Sequence, residues 1–298
     1  MSTVAPSYRG RFAPSPTGPL HLGSLLAAWG SWLMARAAGG QWLIRIEDVD
    51  PLREVAGAAE LQLATLATFG LESDGPVVRQ STRGVLYQAA LEQLIASAAA
   101  FECHCSRRVL AADAGIHRHC AAGRPRHDPS VRFRVPQSSP VTFHDRIEGT
   151  ITQDVGSTVG DFVLKRADGF WAYQLAVVVD DAAQGVTDVV RGADLLVSTP
   201  RQILLQRALG LPTPTYAHLP LLLDSNGRKL SKSLACAPVD AGDPLPALRL
   251  VWDALGQTRA ALAGVGSVQA LMSTALQDFD PNRIPRGMLQ LPPAATVT

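Results

Sequence analysis

Several absences narrow the reading before any motif is considered. No uninterrupted apolar run approaches the roughly 20 residues that a membrane-spanning helix needs. Cysteine is scarce, four in 298 residues, and unevenly spread, which does not fit the disulfide framework of a secreted domain. Neither sign of charge prevails: 27 lysines and arginines face 26 acidic residues, a formal net charge of +1. Net charge is thus silent on nucleic acid, because a local basic face can coexist with an acidic remainder. The opening MSTVAPSYRG lacks the basic and then apolar regions of an export leader, so a cytoplasmic location is expected. What is present is apolar content, 47% of the chain, enough for one large core or two modest ones and too much for disorder. A soluble globular protein is expected.

Strands and helices alternate along the chain. YRGRFAP (8–14) reads as a strand, and prolines 14, 16 and 19 delay any helix until after Leu20. The spacing of apolar residues predicts a helix over 22–38, ended by Gly39-Gly40, then a buried strand in QWLIRIED (41–48) and a second helix over 55–69. Later, FWAYQLAVVVDD (170–181) reads as a buried strand. TPRQILLQRALG (199–210) reads as a helix with a threonine cap, and YAHLPLLLD (216–224) as a further strand. This alternation indicates an α/β fold with a parallel sheet. The segment 100–145, with three of the four cysteines and several arginines, reads as an inserted subdomain. DPLPALRLVWDALG (243–256) reads as a capped amphipathic helix in a short helical appendage.

Three local patterns carry chemistry. PSPTGPLHLGS (14–24) is a Gly/Pro turn between a strand and a helix. Such a turn aims free backbone N–H groups and the positive end of the helix dipole at an anion, with His21 placed to donate to a phosphate oxygen. GRKLSKS (227–233) is a Gly-led loop with two lysines and two serines. Cys103-x-Cys105 and, after fourteen intervening residues, Cys120 supply three thiolates that a turn could gather around Zn²⁺, with His117 and His119 both in reach as a fourth ligand. Cys236 reads as an ordinary thiol.

HLGS (21–24) and KLSKS (229–233) together closely resemble the two ATP-binding motifs of class I aminoacyl-tRNA synthetases. RGRFAPSPTGPLHLGSLLAAW, GGQWLIRIEDVDPLRE, FVLKRADGFWAYQLAVVVDDAAQGVTDVVRGADLL and HLPLLLDSNGRKLSKS resemble, in order, blocks of a glutamyl-tRNA synthetase catalytic domain. Only 65 residues follow Ser233, too few for that enzyme's anticodon-binding region. With IEDVDPLREV and the C-x-C cluster, this resembles the family of glutamyl-queuosine tRNA(Asp) synthetases, shortened paralogues of glutamyl-tRNA synthetase.

The resemblance implies a class I synthetase fold, a Rossmann-type parallel sheet with an inserted zinc-bearing subdomain and a short helical C-terminal appendage. It also implies divisions at 1–99, 100–145, 146–235 and 236–298, the first and third being the halves of the catalytic domain. The implied substrates are ATP with Mg²⁺, L-glutamate and the anticodon loop of tRNA(Asp), with no membrane and no protein partner. Residue by residue, the ATP site comprises Pro14, Gly18, His21, Gly23, Ser24, Lys229, Ser231 and Lys232, with His21 and Lys232 catalytic and Lys229 a second candidate. The glutamate site comprises Arg11, Phe12, Ala13, Pro14, Ser15, Glu47, Tyr173 and Arg191. Arg11, Arg191 and the Tyr173 hydroxyl take the side-chain carboxylate, and Glu47 and Ser15 the α-ammonium. An ion pair between Glu47 and Arg45 is the competing role for Glu47, and Tyr173 in an apolar run is also a core candidate. Asp48 and Asp50 are read as turn residues. The zinc ligands are Cys103, Cys105, Cys120 and His117, with His119 and His104 as alternatives.

Two departures from the family pattern stand out. Ser24 replaces the second histidine of the first motif, and Ile116 stands where the family has its tyrosine ligand. The other function classes left open are a shortened conventional glutamyl-tRNA synthetase and a non-catalytic paralogue that binds amino acid or RNA.

Overall fold

The computed structural model describes residues 7–106, 109–110, 116–120, 124–224, 227 and 237–290. Strand β1 (Arg9–Phe12), helix α1 (Leu22–Ala37) and strand β2 (Gln41–Ile46) form the opening unit. β1 and β2 pair in parallel, Arg9 opposite Gln41 and Phe12 opposite Ile44, and β3 (Val78–Arg79) continues the sheet beyond β2. A second sheet holds β9 (Asp188–Gly192), β10 (Thr215–Leu219) and β6 (Pro140–Asp145) in parallel, with β7 (Gly149–Asp154) antiparallel at its edge. The two sheets meet at β1 and β9, where the Thr187 N–H donates to the Arg9 carbonyl at 3.0 Å. The carboxyl ends of β1 and β9 therefore open side by side, the place where open α/β sheets bind ligands.

Helices α2 (Ala58–Thr68), α3 (Gly84–Ala96), α4 (Tyr173–Ala183) and α5 (Thr199–Leu209) flank this framework. Within the segment 100–145, β4 (Ala100–Cys103) and β5 (Ser130–Phe133) form an antiparallel sheet with β8 (Phe162–Lys165), which lies beyond that segment. Helices α6 (Pro244–Ala254) and α7 (Val268–Asp278) pack back onto α1, and β11 (Leu221–Leu223) pairs with β12 (Met288–Gln290). The rings of Trp29 and Trp252 lie 5.9 Å apart in this shared core. Gly30 sits so close to β10 that a Cβ there would fall 2.7 Å from a Leu219 methyl. No helix among the described residues is long and apolar enough to cross a membrane.

Four local expectations are corrected. The run expected as a strand at 170–181 is helix α4. Leu175, Ala176, Val177, Val178 and Val179 are all buried, and a helix covered on every side shows the same unbroken apolar run as a buried strand. Thr199 is the first residue inside α5 and not its cap; Ser198 holds the cap position, and the Thr199 hydroxyl is engaged by Arg191. Asp243 holds the cap position of α6 but makes no side-chain cap bond. Pro246, at the third helical position, has no N–H to offer it. The 216–224 strand is divided by Pro220 into β10 and β11.

Candidate functional site

At the carboxyl ends of β1 and β9 lies a cavity of about 490 Å³. Its floor is the residues leaving β1: Arg11, Phe12, Ala13, Pro14 and Ser15 all line it. The turn that follows is held from outside by α2, whose Gln62 amide donates to the Ser15 carbonyl at 3.0 Å and to the Gly18 carbonyl at 2.7 Å. His21 then caps α1. Its backbone is extended and its Nδ1 accepts the Ser24 N–H at 3.1 Å. In a neutral ring that acceptance assigns the proton to Nε2, a donor. His21, Gly23 and Ser24 line the cavity at this helix N-terminus, whereas Gly18 lies off its wall. The chain after the second motif returns here: the Val239 N–H donates to the Leu20 carbonyl at 2.9 Å. Lys229, Ser231 and Lys232, with Cys236, lie outside the described residues.

Beneath the floor is a buried network of charges. Asp181 on α4 receives Arg11 through two bonds, 3.0 and 3.2 Å, and Arg45 through a third at 2.8 Å. Arg45 also reaches Glu47 at 3.2 Å. The internal ion pair weighed for Glu47 therefore exists, and the same carboxylate lines the cavity. Burial drives the Glu47 pKa above the ordinary carboxylate range, more than Arg45 and Arg11 oppose it. For Asp181 burial also acts upward, but Arg11 and Arg45 outweigh it and the carboxyl stays below its usual value. Adjacent Asp180 faces the other way, accepting from Gln80 at 2.7 Å, Tyr87 at 2.7 Å and the guanidinium of Arg83. Asp48 accepts from the Ser81 N–H and hydroxyl, and Asp50 pairs with Arg53 and Arg166.

The opposite wall belongs to Arg191 on β9, 5% exposed. Its guanidinium donates to His218 Nε2 (3.1 Å), the Thr199 hydroxyl (2.8 Å), the Leu195 carbonyl (3.4 Å) and the Tyr173 hydroxyl (3.3 Å). Every one of these acceptors is neutral, and among the described residues Arg191 forms no ion pair. Burial raises the Tyr173 pKa, so its hydroxyl keeps its proton as a donor. A buried guanidinium without a counter-ion, across from a carboxylate and next to a helix N-terminus, suits a ligand bearing separate anionic and cationic groups.

In the antiparallel sheet region, the sulfurs of Cys103, Cys105 and Cys120 lie within 4.8 Å of one another, the first two buried. His117 is buried against them: Nε2 is 3.2 Å from Cys103 Sγ and Nδ1 is 2.8 Å from Asp161. His117 stands outside the mutual cluster, in contact with Cys103. His119 is exposed, and His104 Nδ1 accepts the Arg126 N–H at 3.0 Å.

Comparison with known proteins gives this arrangement a family. Residues 7–129 and 116–240 match the model of the class I tRNA synthetases (E and Q), catalytic domain. A protein of Xanthomonas campestris pv. campestris named Glutamyl-Q tRNA(Asp) synthetase is 64% identical over 281 residues, 94% of each chain. One of that name from Chromobacterium violaceum is 52% identical over 296 residues, 96% of this chain and 98% of its own. The chain belongs to the glutamyl-Q tRNA(Asp) synthetase family. It is a ligase with the class I synthetase catalytic fold. A glutamate-tRNA synthetase from Elizabethkingia anophelis superposes with a TM-score of 0.81 at 26% identity, over 97% of this chain and 69% of that one. Within this family fold, all eight residues expected around glutamate converge on one cavity. Sequence reasoning passed over Gln62, Asp145, Asp181 and His218, and read Thr199 only as a helix cap. A polar residue inside an apolar run was the available signal for Asp181 in VVVDD and for His218 in YAHLPLLLD.

Proposed function

We propose that this ligase activates L-glutamate with ATP, without needing tRNA, and transfers it to the queuosine base at the wobble position of tRNA(Asp). The observation that carries the reading is the buried Arg191 guanidinium, in no ion pair among the described residues, lining the same cavity as Glu47 and the N-terminus of α1. Arg191, Arg11 and the Tyr173 hydroxyl hold the glutamate side-chain carboxylate; Glu47 and Ser15 take its ammonium. Two of the Arg11 donors are committed to Asp181, which leaves the Nη1 side for substrate. The α-carboxylate then attacks the α-phosphorus of ATP, forming glutamyl-adenylate and releasing pyrophosphate. Acceleration comes from alignment and from donors placed where phosphate gains charge: His21 Nε2, the α1 N-terminus and Lys232, with Mg²⁺ accompanying ATP. The loop of an RNA presents unstacked bases that a surface cavity can receive. The name that the relatives carry supports tRNA(Asp) as that RNA.

The three-thiolate cluster has the soft donors that zinc favours. Cys103, Cys105 and Cys120 would hold it, with His117 as fourth ligand. The Asp161 contact on Nδ1 is the usual carboxylate support of a ligating imidazole. Bound there, zinc would cross-link the 100–145 subdomain. We further read 1–99 and 146–235 as the catalytic halves and 236–298 as a helical appendage of a cytoplasmic protein. The function is tested with ATP, labelled glutamate and tRNA(Asp) carrying or lacking queuosine. Label confined to the queuosine form is expected; equal labelling, or label at the 3′ end of tRNA(Glu), would overturn it in favour of a conventional synthetase.

A further inference from the structure

Arg191 is not left to find its own orientation. Behind it, away from the cavity, stands fully buried His218, and behind His218 stands fully buried Asp145 at the end of β6. Asp145 Oδ2 lies 2.6 Å from His218 Nδ1, while Oδ1 accepts three backbone N–H groups, from Ile147 (3.0 Å), Glu148 (2.9 Å) and His218 itself (3.2 Å). These contacts determine the tautomer. A carboxylate can only accept, so the imidazole proton sits on Nδ1, and Nε2 becomes the lone-pair acceptor that Arg191 Nε (3.1 Å) and the Thr199 hydroxyl (3.2 Å) both address. Burial, the largest influence, lowers the His218 pKa, and the nearby Arg191 charge acts the same way against Asp145, so the ring stays neutral.

We infer that Asp145 and His218 are positioning residues for the glutamate side chain. They fix the Arg191 guanidinium through a neutral relay, so that its direction is set while its charge is not cancelled. A carboxylate bonded to Arg191 directly would anchor it equally well but would pair it, leaving less field for a substrate carboxylate. The interposed imidazole keeps the Asp145 charge one ring further off. Tyr216 completes the mount, its ring stacked on His218 and 5.6 Å beneath the guanidinium. The inference rests on the reading of Arg191 as the glutamate anchor.

It makes an uncommon demand on Asp145→Asn. Asparagine keeps an oxygen for the three backbone donors, so the turn survives, but it then turns an N–H₂ toward Nδ1. The imidazole proton must move to Nε2 and point at Arg191, donor against donor. Loss of activity through a wrong tautomer with the fold intact has precedent in the serine-protease triad.

The test uses the full chain and ATP–pyrophosphate exchange at varied glutamate, with long-range ¹H–¹⁵N spectra of ¹⁵N-histidine-labelled protein. His218→Gln, which offers an oxygen in place of Nε2, identifies the ring signals. Expected are an Nδ1–H tautomer in the parent and Nε2–H in Asp145→Asn. The glutamate KM should rise on the order of tenfold in Asp145→Asn and His218→Ala, within about threefold in His218→Gln, with kcat changing less. Melting curves of each variant establish that it is folded. An Nε2–H tautomer in the parent, or an unchanged glutamate KM in folded Asp145→Asn and His218→Ala, would overturn the inference while Arg191→Ala still raises KM. An Arg191→Ala enzyme with unchanged KM would overturn the glutamate reading itself, and the inference with it.

Discussion

Replacing Asp181 with alanine removes the carboxylate on which two arginines converge. Arg11 and Arg45 are 3% and 0% exposed, so neither can recover its lost partner from water. Arg45 keeps Glu47 at 3.2 Å and Asp180 at 3.9 Å. Arg11 has no other ion pair among the described residues. Arg11, Arg45 and Arg83 balance Glu47, Asp180 and Asp181, and the substitution leaves one buried positive charge in excess. Breaking a buried pair from one side costs about 3–5 kcal/mol, a fifth or more of the roughly 5–15 kcal/mol that holds a domain folded. At roughly 2 °C per kcal/mol for a chain of this size, the melting point should fall by about 6–10 °C. Asp181→Asn, which keeps the volume and one acceptor, should fall about half as far. The cost should also depend on pH. The native Asp181 pKa lies below its ordinary value because Arg11 and Arg45 outweigh burial, so its stabilisation is full above the unfolded-state pKa and fades as pH falls through the native one. Urea unfolding of both variants and the parent, at neutral pH and again below the ordinary aspartate pKa, measures this directly. A folded Asp181→Ala protein within about 1 kcal/mol of the parent at neutral pH would refute the argument that this carboxylate neutralises the site's floor.

Two further expectations concern the other elements. Gly160 has φ +68°, and a Cβ there would fall 2.3 Å from the His117 carbonyl; Gly160→Ala should displace His117 and lower the content of the proposed zinc by elemental analysis, and undiminished zinc would remove His117 from the proposed ligand set. His21→Ala and Lys232→Ala should each slow glutamate-dependent exchange by on the order of a hundredfold, as for loss of one transition-state donor, and an unaffected rate in either would remove that residue from the chemistry.

The parts of this molecule legible in sequence are those whose signal is local. Prolines 14, 16 and 19 and the Gly39-Gly40 pair bracket α1 within a residue or two of its observed Leu22–Ala37. The misread stretch 170–181 was ambiguous for a physical reason: α4 is buried all round, and burial erases the period that separates helix from strand. That error hid Asp181. On a strand, adjacent aspartates point to opposite faces; on α4, successive side chains diverge by about 100°, letting Asp180 serve Gln80, Arg83 and Tyr87 while Asp181 serves Arg11 and Arg45. His218 was visible as a polar residue in an apolar strand. Its meaning lay 73 positions away at Asp145, in a segment to which no local pattern connects it. Arg11, Glu47, Tyr173 and Arg191 came from resemblance, and their convergence comes from the meeting of two sheets at β1 and β9, with the start of α4 beside them.

The core that seats α1 has a consequence in time. Leu25, Trp29 and Leu33 are completed by Trp252, Leu255 and Leu271, so α1 packs against residues synthesised long after it. At about 5–20 residues per second, the stretch from Ala37 to Leu271 takes roughly 12–47 s to synthesise. Through that interval the part of α1 that meets α6 and α7 waits without those two helices. A ribosome stalled before residue 250 should therefore carry an α1 whose face toward α6 and α7 is uncovered and open to proteases.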